Sequence, residues 1–115
     1  MALIYILEDD RNIREIEEIA LKNADYEVVS FETAAEFGKR LKERVPDLLL
    51  LDLMLPGISG EAVLEEIRKK GNLPVIVLTA KDSLDEKVEV LTSGADDYIT
   101  KPFEIREVLA RVQVQ

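Results

Sequence analysis

Six side chains stand where short apolar runs give out. Glu8, Asp9 and Asp10 follow Leu3-Ile4-Tyr5-Ile6-Leu7, Asp52 follows Leu48 to Leu51, Thr79 follows Val75 to Leu78, and Lys101 follows Tyr98-Ile99-Thr100. Carboxylates crowded at one rim repel one another, which raises their pKa values or calls for a cation. A hard divalent ion held by one or two carboxylates, a carbonyl and water is the natural remedy: Mg2+ first, with Mn2+ or Ca2+ able to substitute. Such an ion would screen Asp52 and let an anionic phosphoryl group approach it. A carboxylate is a competent nucleophile toward phosphorus and yields an acyl phosphate. The Thr79 hydroxyl is placed to donate to that phosphoryl group, and Lys101 to neutralise a second oxygen as a point charge. This chemistry needs no general base. Asp10 suits a plainer role as an N-cap or first-turn acid favoured by the helix dipole.

Composition narrows the alternatives. The 115 residues contain no Cys and no His, which removes thiol nucleophiles, thiolate or imidazole ligation, Ser-His catalysis and phosphohistidine formation on this chain. Any metal site must be oxygen-liganded. With 15 Lys and Arg against 24 Asp and Glu, the net charge of −9 opposes nucleic-acid binding by this chain alone. Its apolar fraction of 47% is enough for one core in one domain. No apolar run reaches membrane-spanning length, since Asp52 breaks the longest, and no basic segment precedes the first run as in a secretory signal. The expected location is cytoplasmic, with no membrane partner.

The elements that must position these six groups alternate five times. Each apolar run is too short for a helix and suits a buried parallel strand, with Val28-Val29 a weaker second strand nearer an edge. Between them lie helical patterns: Ile13, Ile16, Ile19 and Ala20; Phe37 and Leu41 after a Thr33/Glu36 capping box; Val63, Leu64 and Ile67 before Gly71. Leu84, Val88 and Leu91 follow, between a Ser83/Glu86 capping box and Gly94, and then Ile105, Val108, Leu109 and Val112. Pro56-Gly57 marks a turn after the third strand. A (βα)5 alternation with short connections implies an α/β, flavodoxin-like, doubly wound parallel sheet in a single domain over residues 1–115. Sites in such sheets form beyond the carboxyl ends of the strands. With strand order 2-1-3-4-5, Glu8, Asp9 and Asp52 share one rim, closed by Thr79 and Lys101.

Four segments together carry a specific resemblance: Ile6-Leu7-Glu8-Asp9-Asp10, Asp47 through Gly57, Val77-Leu78-Thr79-Ala80, and Gly94 through Phe103. The chain resembles the receiver domain of a two-component response regulator over essentially its whole length. The resemblance implies that Asp52 is the phospho-acceptor, that Glu8 and Asp9 with Asp52 and the main-chain carbonyl of Met54 hold Mg2+, and that Lys101 binds the phosphoryl group. It implies a Thr79/Tyr98 switch pair and a cis Lys101-Pro102 peptide. Glu8 replaces the more common Asp at its place. Met54 and Lys81 stand at positions that tune dephosphorylation in the family. The implied partner is a sensor histidine kinase, and the domain is a phospho-acceptor, with self-phosphorylation and autodephosphorylation as its only catalysis.

The segment from Gly94 to Phe103 is similar to the OmpR/PhoB branch, whose receivers precede a winged-helix DNA-binding domain. DNA contact is therefore expected only through an effector domain beyond Gln115. That branch dimerises through its fourth helix, fifth strand and fifth helix, which makes Lys87 with Glu107 and Asp97 with Arg111 the expected cross-subunit pairs. Three other readings compete. A haloacid-dehalogenase-type hydrolase needs a second Asp where Met54 stands. An FMN carrier needs a phosphate-cradling first loop, where this chain has Glu-Asp-Asp. A phosphorylation-independent pseudo-receiver module typically loses the acceptor, the acidic pair or the lysine, all of which are kept.

Overall fold

The structure, a computed structural model, describes residues 2–55, 57–80 and 84–115, with side chains omitted at 84–87. Ten elements follow one another: β1 Leu3–Leu7, α1 Arg11–Asn23, β2 Glu27–Phe31, α2 Ala34–Glu43, β3 Leu48–Asp52, α3 Gly60–Lys70, β4 Val75–Thr79, α4 Leu84–Thr92, β5 Asp97–Thr100 and α5 Ile105–Val114. The strands form one parallel sheet in the order β2-β1-β3-β4-β5, the order expected above; the alternating pattern accounts for the parallel pairing. β1, β3 and β4 are buried at every residue, which is why they read as unbroken apolar runs. At the edge, β2 shows a mixed pattern.

Alternate side chains of each strand enter different cores. Leu3, Tyr5, Leu7, Leu49, Leu51, Val75, Val77 and Tyr98 meet Phe37 of α2, Val63, Leu64 and Ile67 of α3, and Val90 of α4. Tyr5, Phe31 and Phe37 pack edge to face there, with centroids 5.1 to 6.3 Å apart. Such pairs add to area burial because ring edges and faces carry opposite partial charge. The opposite face sets Ile4, Ile6, Leu48, Leu50, Ile76, Leu78 and Ile99 against Leu21 of α1 and Val108 and Val112 of α5. Period-two alternation thus splits one sheet between two helical layers.

Two helical stripes differ from the sequence reading. On α1, Ile16 and Ile19 are 55% and 61% exposed, while Glu17 and Leu21 face the sheet. On α4, Val88 and Leu91 are exposed and Val90 is buried. Apolar residues on these helices exceed what one face can hold, so packing against the sheet, and not periodicity, sets the phase of each helix. The caps are clearer. Thr33 Oγ1 accepts from the Glu36 N–H at 3.2 Å, and Asp10 accepts from the N–H groups of Asn12 and Ile13. The Ser83/Glu86 box and the Pro56 turn residue lie outside the described residues.

Candidate functional site

Strand register brings the strand-end residues into one row. Leu7 pairs with Leu51, Asp52 with Leu78, and Thr79 with Thr100. Glu8, Asp52, Thr79 and Lys101 therefore emerge side by side at the carboxyl rim of four adjacent strands. Glu8, Asp9 and Asp52 each offer an oxygen within 4.8 Å of the others. Asp52 and Glu8 are only 3% and 2% exposed, and Thr79 is fully buried.

Lys101 arrives from the far side of the site. Its Nζ lies 2.8 Å from Glu8 Oε1 and 3.4 Å from Asp52 Oδ1. The peptide that follows it, Lys101-Pro102, is cis. Asp52 Oδ1 also accepts from the Met54 N–H at 3.0 Å, and Glu8 Oε2 from the Asp10 N–H at 3.2 Å. The Met54 side chain is exposed beside the site.

Burial pushes the Glu8 carboxyl up to about 7, helped by the neighbouring Asp52 and opposed by Lys101. Burial also works against ionisation of Asp52, but its bonds to the Glu8 carboxyl and the Met54 N–H, with the Lys101 charge, hold it below the ordinary carboxylate value. Lys101 loses hydration, yet Glu8 and Asp52 keep its ammonium charged and its pKa raised. The result is an ionised, desolvated carboxylate beside a fixed cation. An oxygen-only acidic cluster at a sheet rim also has the donor chemistry that suits Mg2+.

The remaining predicted residues fall in three places. The Tyr98 ring is buried in the core beneath β5. Arg111 Nη1 bonds both carboxylate oxygens of Asp97 at 2.8 and 3.0 Å, and Arg111 also approaches Glu107 at 3.3 Å, all within one chain. A cross-subunit Asp97–Arg111 pair would thus have to share or exchange an existing bond. Lys81 and the Lys87 side chain lie outside the described residues.

Three residues near the site escaped sequence reasoning. Arg14 Nη1 donates to the main-chain carbonyls of Glu8 at 2.9 Å and Asp9 at 3.4 Å. Glu17 is 1% exposed, and neither of its carboxylate oxygens has a hydrogen-bond partner among the described residues. Burial, with the charges of Glu8 and Asp52, lifts its pKa to about 8 against the opposing Lys101. Gly60 opens α3 so close to the end of β3 that a Cβ there would sit 2.4 Å from Leu53 Cα and 2.9 Å from the Asp52 carbonyl oxygen. Only a Ser59-Gly60 helix start after the turn hinted at the last of these.

Comparison with known proteins agrees with this geometry. The family described as response regulator receiver domain matches residues 4–113. The chain is 45% identical over 112 residues to Regulatory protein VanR of Enterococcus faecium, covering 97% of this chain and 48% of that protein. It therefore spans about half the length of that relative. Among solved structures, the Francisella response regulator 1452 receiver domain superposes with a TM-score of 0.94 at 31% identity, covering 99% of this chain and 95% of that one. The BeF3-activated N-terminal receiver domain of Klebsiella pneumoniae RstA gives 0.90 at 31% identity, covering 97% and 96%. A match across nearly the whole chain, on a fold whose strand ends carry the acidic cluster and its lysine, leads to one conclusion: this chain belongs to the response regulator receiver domain family.

Proposed function

We propose that the chain is a phosphorylation switch in which Asp52 accepts a phosphoryl group from a sensor histidine kinase or a small phosphodonor. The observation that carries this reading is the convergence of Glu8, Asp9 and Asp52 within 4.8 Å, with Lys101 Nζ on both Glu8 and Asp52. Glu8, Asp9, Asp52 and the Met54 carbonyl would hold Mg2+, which supplies charge neutralisation for the incoming phosphoryl oxygens. An Asp52 carboxylate oxygen donates its electron pair to phosphorus. The bond from phosphorus to the donor's nitrogen or oxygen breaks, and the leaving group departs with that electron pair. Asp52 enters ionised, so no proton has to be removed. Lys101 moves from bridging two carboxylates to neutralising the phosphoryl group, and Thr79 donates its hydroxyl to a second oxygen.

The output follows from the same row of strand ends. Thr79 and Tyr98 lie on adjacent strands, and recruitment of the Thr79 hydroxyl would reposition the Tyr98 ring. That movement would alter the surface of α4, β5 and α5, a local electrostatic event with a global readout. These elements carry exposed Val88 and Leu91 on α4 and the Asp97–Arg111 bond between β5 and α5. The surface suits homodimerisation in the manner of the OmpR/PhoB branch, with Lys87–Glu107 and Asp97–Arg111 as cross-subunit pairs. The relative VanR, about twice the length of this chain, is a regulatory protein, which supports transcriptional output through a DNA-binding domain elsewhere in the polypeptide. Among the described residues no helix is long and apolar enough to cross a membrane, consistent with action in the cytoplasm. The domain acts as an acceptor and not as a turnover enzyme.

Intact mass after incubation with a small phosphodonor, with and without Mg2+, tests this on wild type and Asp52→Asn. One Mg2+-dependent phosphoryl adduct, absent from the variant, is the expected result. Wild type without an adduct in either condition would favour a phosphorylation-independent interaction module.

A further inference from the structure

We infer that Arg14 is a positioning residue for the divalent-cation site, acting through the main chain of Glu8 and Asp9; this rests on the metal-assisted reading above. Its guanidinium reaches back from α1 to the turn that leaves β1, where one nitrogen, Nη1, donates to two successive carbonyl oxygens, 2.9 Å at Glu8 and 3.4 Å at Asp9. Fixing both oxygens fixes the peptide planes on either side of Asp9. Those planes set the direction of the Asp9 Cα–Cβ bond.

Asp9 is the ligand that most needs this restraint. The Glu8 carboxylate is anchored through its side chain by Lys101 and the Asp10 N–H, and the Asp52 carboxylate by the Met54 N–H and Lys101. Asp9 is half-buried and lies on a turn between two elements. Arg14 makes no ion pair among the described residues; its Nη1 bonds go to backbone and not to a carboxylate, and its charge contributes only at longer range to lowering the Glu18 pKa. The position of the N-terminal turn of α1 is set separately, by the Asp10 cap on Asn12 and Ile13. The two devices divide the work: Asp10 starts the helix, and Arg14 orients the ligand-bearing peptides before it. Groups that orient ligands from behind typically change metal affinity by about 10-fold or more when removed.

The test uses Mn2+ alone as probe, with free ion followed by electron paramagnetic resonance, on wild type, Arg14→Ala, Arg14→Gln, Arg14→Lys and Asp9→Asn. The expected result is a dissociation constant for Arg14→Ala raised about 10-fold. Gln and Lys, which each retain a donor, recover part of that loss. Gln recovering without a charge marks the effect as orientation, and a purely structural role would move the metal-free thermal midpoint and leave Kd in place. Arg14→Ala binding Mn2+ as tightly as wild type, or more tightly through relief of like-charge repulsion, overturns the inference while Asp9→Asn still weakens binding. Wild type and Asp9→Asn indistinguishable toward Mn2+ would overturn the cation site itself, and this inference with it. Should Arg14→Ala fail to fold, the Gln and Lys variants decide: an unchanged Kd in a Gln variant that has lost both carbonyl bonds, as judged by amide shifts at Asp9 and Asp10, counts against it.

Discussion

Replacing Glu17 with Leu should stabilise this domain, and by an amount that depends on pH. Glu17 projects from α1 into the layer beneath the sheet, 1% exposed, with Leu21 one turn further along the same inner face. Its carboxyl is raised from 4.5 to about 8 by burial first and by the charges of Glu8 and Asp52 second. A carboxyl that holds its proton more tightly when folded makes the unfolded chain ionise first, so stability falls as pH rises between the two values. The sign is opposite to that of a salt-bridged carboxylate. At about 1.4 kcal/mol per pKa unit, the penalty is near zero below the unfolded pKa, on the order of 3 kcal/mol at neutral pH, and approaches about 5 kcal/mol above the folded one. Glu17→Leu removes the titrating group and fills its volume with carbon. The assay is urea denaturation of both proteins at about pH 5, 7 and 9, since the difference between them cancels the titrating groups that do not interact with Glu17 and leaves Glu17 with its coupling to Glu8, Asp52 and Lys101. Leu should lead by roughly 1 kcal/mol or more at the acid end and gain on the order of 2 kcal/mol further by neutrality, a large share of the roughly 5–15 kcal/mol typical of a domain. A gap that stays constant across the range would refute the reasoning, because it would show Glu17 equally solvated in both states.

Three further outcomes follow from the site. Lys101→Met leaves Glu8 and Asp52 buried without their shared cation, which should cost about 3 kcal/mol near pH 8 in chelator and less near pH 6, with excess Mg2+ restoring part of the loss; equal denaturation midpoints with and without the lysine would count against it. Because the Glu8 carboxyl sits at about 7, its proton competes with a cation on the acid side. Apparent Mn2+ affinity, read by calorimetry, should rise about 5-fold from roughly pH 6 to 7 and flatten above 8, whereas a level profile would remove Glu8 from the ligand set. Gly60→Ala pits helix propensity, worth up to about 1 kcal/mol in favour, against collision with the Leu53 main chain. The collision should win, with a net loss of about 2 kcal/mol in urea denaturation; a stabilised variant would show that α3 can shift freely away from the end of β3.

Much of this protein is legible in its sequence for one reason: burial on both faces forces a parallel strand to be a contiguous apolar run. Leu48 to Leu51 could scarcely be anything else, and Asp52 at its end had to be at a rim because a carboxylate inside such a run is costly. The strand Leu3–Leu7, the fourth strand to within one residue of Val75–Thr79, and the Asp10 and Thr33 caps follow from local chemistry of that kind, whereas the meeting of Glu8 and Asp9 with Asp52 also needs the sheet order that sets β1 beside β3. The facing of α1 could not be read this way. Ile13, Ile16 and Ile19 compete with Glu17 and Leu21 for the inner face, and each residue turns the helix by only about 100°, so small differences in packing decide which set is buried. That is why an acid ended up inside and two isoleucines outside. Contacts made by long polar side chains were equally out of reach. Arg14 looks like any charged residue on a helix, and only the path of the chain through β1 and its turn puts two carbonyl oxygens within its grasp. Lys101 meets Glu8 across 93 residues because the sheet order sets the two strand ends around one rim. Periodicity reports which residues need to leave water, but partners distant in sequence are chosen by the packing of whole elements, which no local pattern encodes.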